Sequence, residues 1–242
     1  MSSIGIYGSQ GRMGLAIQDI LASEGVRYAG GADASDDPVP VAQAADALVD
    51  FSSPAALESH LAAARAAGTP IVIGTTGINA QHHALIDDAA RDIAVLQTGN
   101  TSLGVVLLAR LVREAAARLG PDWDIEIVEA HHRHKLDAPS GTALMLGEAA
   151  AAGREVALGE VRVADRAGLS GARAEGTIGF ASIRGGSIVG DHHVIFAGAG
   201  ERIELAHLAQ ERAIFARGAV KAALWLAKQP AGRYTMDAVL GL

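Results

Sequence analysis

From Ser3 to Gln97 short apolar runs alternate with alanine-rich segments of helical spacing. This alternation builds a parallel sheet covered by helices on both faces, since each strand is returned to the next by a helix. The expected strands are Ile4–Tyr7, Val26–Ala32, Ala47–Phe51, Ile71–Ile73 and Ile93–Gln97. Ser53 and Pro54 supply a cap and a preset first-turn dihedral for a helix that runs to about Ala67, and Gly68 ends it.

After Gly99 the texture changes. Leu103–Leu119 reads as an apolar helix, and strand-like runs follow at Asp124–Ala130, Val161–Ala164, Thr177–Ile183, Ser187–Phe196 and Arg202–His207. They predict a mixed or antiparallel sheet, interrupted by one helix over about Gly141–Ala152. A last amphipathic helix, roughly Glu211–Lys228, carries Ile214, Phe215, Leu224, Trp225 and Leu226 as core contacts and is expected to rejoin the first domain. The expected class is α/β. Residues 1–102 with 213–242 form the parallel-sheet domain, and residues 103–212 form a mixed α/β domain.

Composition narrows the chemistry. The 242 residues are 50% apolar and 19% charged, a globular balance. A net charge of −7 argues against a general attraction for nucleic acid, so an anionic ligand needs a local site. With no cysteine there is no disulfide, thiolate nucleophile or cysteine-ligated metal. No basic-then-apolar leader opens the chain, and no apolar run reaches the ~20 residues of a spanning helix, so a cytoplasmic, membrane-free protein is expected.

Ile4–Tyr7 leads into Gly8-Ser9-Gln10-Gly11-Arg12-Met13-Gly14: a strand, then GxxGxxG, then a helix beginning near Gly11. Glycines there permit unusual dihedrals and close backbone approach, while helix amides attract a pyrophosphate. The pattern departs from GxGxxG by placing Ser9 and Gln10 between the first two glycines. Asp33 follows the second strand, nineteen positions after Gly14, where an acid accepts hydrogen bonds from an adenosine ribose. The bland alternative is a tight turn beside a solvated carboxylate. The motif's place on the first strand favours a nicotinamide dinucleotide. Asp33 repels a 2'-phosphate and Ala34 adds no positive charge, so NADH is at least competitive with NADPH.

Arg12 either pairs near the pyrophosphate or is an ordinary surface arginine at a helix start. Gly74-Thr75-Thr76-Gly77 follows the strand Ile71–Ile73, where ligands of doubly wound sheets bind, and either faces the nicotinamide ribose or forms a polar turn with Asn79 capping the next helix. Thr98-Gly99-Asn100-Thr101 after the next strand is equally open.

The most unusual stretch is Glu129-Ala130-His131-His132-Arg133-His134-Lys135-Leu136-Asp137-Ala138-Pro139-Ser140-Gly141-Thr142, which holds three of nine histidines and one of only three lysines. Histidine exchanges protons near neutral pH, and a lysine among cations has its pKa lowered toward participation. The amides around Gly141 and Thr142 form a helix start, a second anion site. Two rivals are a metal site and an inert basic loop. Adjacent His131 and His132 point apart on a strand and no HExxH spacing is present, which weighs against metal; catalysis is favoured.

Together GxxGRMG, GTTG and EAHHRHKLDAPSGTAL resemble the 4-hydroxy-tetrahydrodipicolinate reductase family. The resemblance continues through Gly185–His192, Gly200–Glu204 and Gly218–Trp225 and covers essentially the whole chain. It implies a Rossmann-type cofactor domain, a substrate domain whose sheets assemble a homotetramer, and reduction of a small dicarboxylate by NADH or NADPH with loss of water. On matching positions it implies His131 as proton donor or acceptor, Lys135 as a second proton donor, and His132, Gly141 and Thr142 as substrate holders. Gly8, Ser9, Gln10, Gly11, Arg12, Met13, Asp33, Gly74, Thr75, Thr76, Thr98, Gly99, Asn100 and Thr101 would contact the cofactor. Two positions depart from the pattern: Thr101 stands where members often have phenylalanine, and Ala34 where some have arginine. The competing readings are another nicotinamide dehydrogenase, such as one for a semialdehyde or small sugar, and a non-catalytic NADH sensor. The absent cysteine counts against a phosphorylating semialdehyde dehydrogenase, and a sensor leaves the histidine cluster unexplained.

Overall fold

The computed structural model describes residues 2–164 and 166–242. Met1 and Asp165, which the expected domain ranges enclose, lie outside the described residues. The chain divides into two compact units, Met1–Leu103 with Ala213–Leu242, and Gly104–Arg212.

The first unit is built on a parallel sheet of β1 (Ser3–Tyr7), β2 (Arg27–Ala32), β3 (Ala47–Asp50), β4 (Ile71–Ile73), β5 (Ala94–Gln97) and β11 (Gly232–Tyr234), in the order β11-β5-β4-β3-β1-β2. Every residue of β1, β3 and β4 is buried, as strands sandwiched between helices must be. The helices are α1 (Arg12–Glu24), α2 (Val39–Ala44), α3 (Leu57–Ala67), α4 (Ala80–Ala89), α8 (Ala213–Leu226) and α9 (Met236–Leu240). Leu48, Ile71 and Ile73 meet Leu57, Leu61 and Ile86 in one core cluster.

Two local expectations change and one open reading is decided. Ser53 precedes a short 3-10 turn, Pro54–Ala56, without a side-chain capping bond, and α3 starts only at Leu57. Asn79 does cap α4: its side chain accepts from the His82 amide, and His82 answers to the Asn79 amide. In α8 only Leu226 of the five expected core side chains is fully buried; the packed stripe is Ala216, Gly218, Ala219, Val220, Ala222 and Ala223. Small residues let this helix approach closely. A Cβ on Gly218 would lie 1.8 Å from the Thr101 carbonyl oxygen.

The second unit carries a mixed sheet, β10-β9-β6-β8-β7, from β6 (Asp124–His131), β7 (Arg162–Val163), β8 (Ile178–Arg184), β9 (Gly190–Gly198) and β10 (Glu201–Ala209). β6 pairs in parallel with β8 and antiparallel with β9. Two helices, α5 (Leu103–Leu119) and α6 (Gly141–Gly153), contribute Leu108, Val112, Leu146 and Ala150 to a core with Ile125, Ile127, Val194 and Phe196. A short α7, Leu158–Val161, takes up the start of the expected Val161–Ala164 strand. Ser187–Val189, expected in β9, forms the turn before it.

Alternation along β6 decides where the chemistry goes. Its inward residues are Ile125, Ile127, Glu129 and His131, so the apolar period of two delivers a carboxylate and an imidazole to the covered face.

Candidate active site

In the first unit, β1, β3, β4 and β5 end side by side, and the glycine turn, Phe51–Ser53, Gly74–Gly77 and Thr98–Thr101 follow their carboxyl ends. Gly8 adopts φ 79°, and its amide donates to the Ala32 carbonyl at 2.8 Å. A Cβ on Gly14 would sit 2.3 Å from the Gly8 oxygen. Side chains at these glycines would collide with the turn's own backbone and with that of Phe51, so only glycine lets the turn close this tightly.

Asp33 closes over this turn: one carboxylate oxygen accepts from Ser9 Oγ at 2.6 Å, and both lie 3.2 Å from the Gln10 amide. A carboxylate has about four acceptor sites, so Asp33 keeps capacity for a diol. Gly8, Gly11, Asp33, Asp36, Ser52 and His60 are among the residues around a cavity of about 290 Å³. Arg12 is exposed at the start of α1, and Met13 is half-buried behind it. The structure thus gathers the glycine turn and Asp33 into one cavity.

The other expected cofactor residues stand apart from it. Thr76 and Gly99 are exposed, whereas Gly74 is buried against the Phe51 ring. The Thr75 hydroxyl, 4% exposed, is turned to Asp50, and the Thr101 hydroxyl donates to the Phe215 carbonyl at 2.7 Å. Thr98 Oγ1 and Asn100 close a small turn on each other.

In the second unit His131 is held by a residue to which the sequence assigned no role. Glu129, 1% exposed, meets His131 Nδ1 at 2.5 Å and accepts two bonds from Arg184, at 2.9 and 2.6 Å, while the Ser140 amide lies 3.3 Å away. Burial alone pushes the Glu129 carboxyl up. Hydrogen bonds from Arg184, Ser182 and His131 outweigh it and bring the pKa down to about 2. An ionised Glu129 accepts a hydrogen bond from His131 Nδ1–H, which fixes the ring and turns Nε2 to its other side.

Ser140 caps α6, its Oγ accepting from the Ala143 amide at 3.2 Å and lying 3.1 Å from His192 Nε2. Burial first, then the neighbouring His131, lowers the His192 pKa to about 4, so its ring is neutral and shares a hydrogen bond with the Ser140 hydroxyl through Nε2. Gly141 and Thr142 follow as the first turn of α6, with open space beside the Gly141 Cα. His132 Nε2 lies 3.2 Å from an Arg212 nitrogen and must accept from it, which puts the ring proton on Nδ1. That buried Nδ1 has no hydrogen-bond partner among the described residues. Lys135 pairs with Asp137 at 2.9 Å. Among the described residues no group of three or more His, Asp or Glu is arranged to hold a metal, and no helix is long and apolar enough to cross a membrane.

Residues 2–101 match the family model for the dihydrodipicolinate reductase N-terminus, and residues 104–240 match that for its C-terminus. The chain belongs to the dihydrodipicolinate reductase family. Its relatives include 4-hydroxy-tetrahydrodipicolinate reductases from Zymomonas mobilis subsp. mobilis, 54% identical with 99% of this chain and 97% of that one covered, and from Ruegeria sp., 49% identical with 98% and 97% covered. Among solved structures, the dipicolinate-bound dihydrodipicolinate reductase from Paenisporosarcina sp. TG-14 shares the fold at a TM-score of 0.74 and 23% identity, with 97% of each chain covered. The family's N-terminal domain and the dehydrogenase-type sheet imply a nicotinamide cofactor. The residues fit one: the glycine turn Gly8–Gly14 and the start of α1 would take a pyrophosphate on backbone amides, and the adjoining cavity would present Asp33 to a ribose.

Sequence reading missed Asp36, Ser52 and His60 in the cavity wall, and Glu129, Arg184 and His192 around His131. Glu129 had a usable signal, lying two positions before His131 and so on the same strand face. Arg184 had none, because it depends on the β6–β8 register.

Proposed function

We propose that this chain reduces 4-hydroxy-tetrahydrodipicolinate to tetrahydrodipicolinate, with loss of water, in lysine and diaminopimelate biosynthesis. The family and its named relatives support the reaction. The observation that carries the assignment of roles is the buried Glu129 carboxylate, which orients His131 beside the first turn of α6. A bound nicotinamide supplies the hydride.

The amides of Gly8, Ser9, Gln10, Gly11, Arg12 and Met13 cradle the pyrophosphate, and Asp33 accepts from the ribose. Gly74, Thr75 and Thr76, with Thr98, Gly99, Asn100 and Thr101, frame the nicotinamide half. His132 Nδ1–H and the Gly141 and Thr142 amides receive the substrate carboxylates. Hydride arriving at a conjugated carbon leaves electron density that His131 Nε2–H quenches, and Lys135 provides the second proton. Arg184 keeps Glu129 ionised, so the imidazolium form of His131 has a counter-charge when it is needed.

NADH serves at least as well as NADPH, because Asp33 and Asp36 both border the cavity with only Ala34 and Ser35 between them. A 2'-phosphate there meets two carboxylates. The protein is read as a cytoplasmic homotetramer assembled through the open face of the second sheet, where Ile183 and Leu208 are more than half exposed in the row that also holds Ala130 and Asp191.

The test mixes the protein with enzymatically generated 4-hydroxy-tetrahydrodipicolinate and follows oxidation of NADH, then of NADPH. Rapid oxidation is expected with NADH. Cofactor binding without oxidation would reject the reading in favour of a sensor. Sedimentation should give four chains, and a monomer would remove the assembly.

A further inference from the structure

Asp50, at the carboxyl end of β3, is a fully buried carboxylate that the reaction does not use. Its neighbours along the strand, Ala47, Leu48 and Val49, are apolar and buried, so a charge here is costly unless it is richly hydrogen-bonded. Four donors meet it. The Ser52 amide and hydroxyl reach Oδ1 at 2.9 and 2.6 Å, the Thr75 hydroxyl reaches Oδ1 at 3.1 Å, and His60 Nδ1 lies 2.8 Å from Oδ2.

Each donor belongs to a segment the cofactor reading needs. Ser52 and His60 stand in the wall of the 290 Å³ cavity, whereas Thr75 lies in the turn after β4. Thr75 Oγ1 also accepts from the Ser52 amide at 3.1 Å, and the Gly74 amide donates to the Asp50 carbonyl at 2.9 Å. Tyr7 stacks on the His60 ring at 4.1 Å and donates to the Pro38 carbonyl at 3.1 Å, carrying the linkage to the wall beyond Asp36. Burial and the Asp50 charge push the Tyr7 phenol up, so it keeps its proton.

We propose that Asp50 is a positioning residue for the cofactor: one buried carboxylate locks the Phe51–Ser53 turn, the Gly74–Thr76 turn and the His60 ring into a single register. This rests on the cofactor reading above. Thr75 acts through its hydroxyl as part of the lock, setting the backbone of Gly74 and Thr76. Asp50 can only accept, so His60 carries a proton on Nδ1 and donates it to Oδ2. With asparagine at position 50 the side-chain amide can donate to Nδ1, and the ring proton moves to Nε2.

The experiment compares the full-length protein with Asp50→Asn and Thr75→Val, titrating NADH by fluorescence and measuring melting temperature, the KM of each substrate and the 15N shifts of His60. Wild type should bind NADH; if it does not, the cofactor reading has failed rather than the lock. Asp50→Asn should weaken NADH about tenfold, with the KM of the dicarboxylate within about twofold and the His60 proton moved to Nε2. A folded Asp50→Asn with wild-type NADH affinity and an unmoved tautomer would overturn the proposal. If that variant does not fold, Thr75→Val decides, because it removes only the hydroxyl: several-fold weaker NADH binding supports the lock, and unchanged binding overturns it.

Discussion

The two units build their sites from different materials. In the first, glycines clear space so that amides and a helix start form the surface, and Asp33 is hooked to the turn it helps define. In the second, side chains do the positioning: Arg184 holds Glu129, Glu129 holds His131, and His192 holds the Ser140 cap of α6. A backbone site fails first through steric intrusion, since its amides do not titrate. A side-chain network tolerates shape changes at its rim but depends on the charge state of each member.

The widest separation should come from His131→Ala, which is expected to lower kcat on the order of 10³-fold while leaving NADH affinity intact. Equal loss of both would erase the distinction between the units. Gly14→Ala is the converse, since its Cβ would press within 2.3 Å of the Gly8 oxygen. NADH binding by titration should weaken on the order of 10²-fold, with a dicarboxylate inhibitor bound as before.

Acid should find the second unit first. The Glu129 pKa is lowered from 4.5 to about 2, so its contribution is present above about 4.5 and lost as pH falls toward 2. The His192 pKa is lowered from 6.5 to about 4; the unfolded chain takes that proton first, and stability is lost between those values. Alkali should act on the first unit, where the Tyr7 pKa is raised, so its contribution is whole below the ordinary value of 10.0 and is lost as pH climbs from there toward the raised value. Hydrogen exchange on β6 and β9 against β1 and β3 reads the order, and simultaneous opening would contradict it. The smallest effect is Ala34→Arg, which should favour NADPH by about tenfold by giving a 2'-phosphate a cation beside Asp33.

The same contrast governs what was legible in the primary structure. Glycine spacing and strand alternation are local, so the cradle, Asp33 and the parallel strands could be read in advance. The histidine run was conspicuous, yet its control by Arg184 and His192 arises from strand pairing across tens of residues. Thr75 and Thr101 illustrate the limit within a motif: nothing in GTTG or TGNT foretells that packing turns their hydroxyls to Asp50 and to the Phe215 carbonyl. β11 escaped notice because three residues at a sheet edge carry almost no period.

The alanine-lined helix α8 and the edge strand β11 have a consequence for biogenesis. When the ribosome has delivered the first hundred residues, the parallel sheet still lacks β11 and the helix against which the Thr101 carbonyl packs. The nascent first unit must wait, with apolar surface uncovered, while all of the second is synthesised, at roughly 5–20 residues per second. A stop codon placed before Ala213 therefore leaves the earlier unit, rather than the later one that it spares, as the segment most exposed to chaperones and proteases.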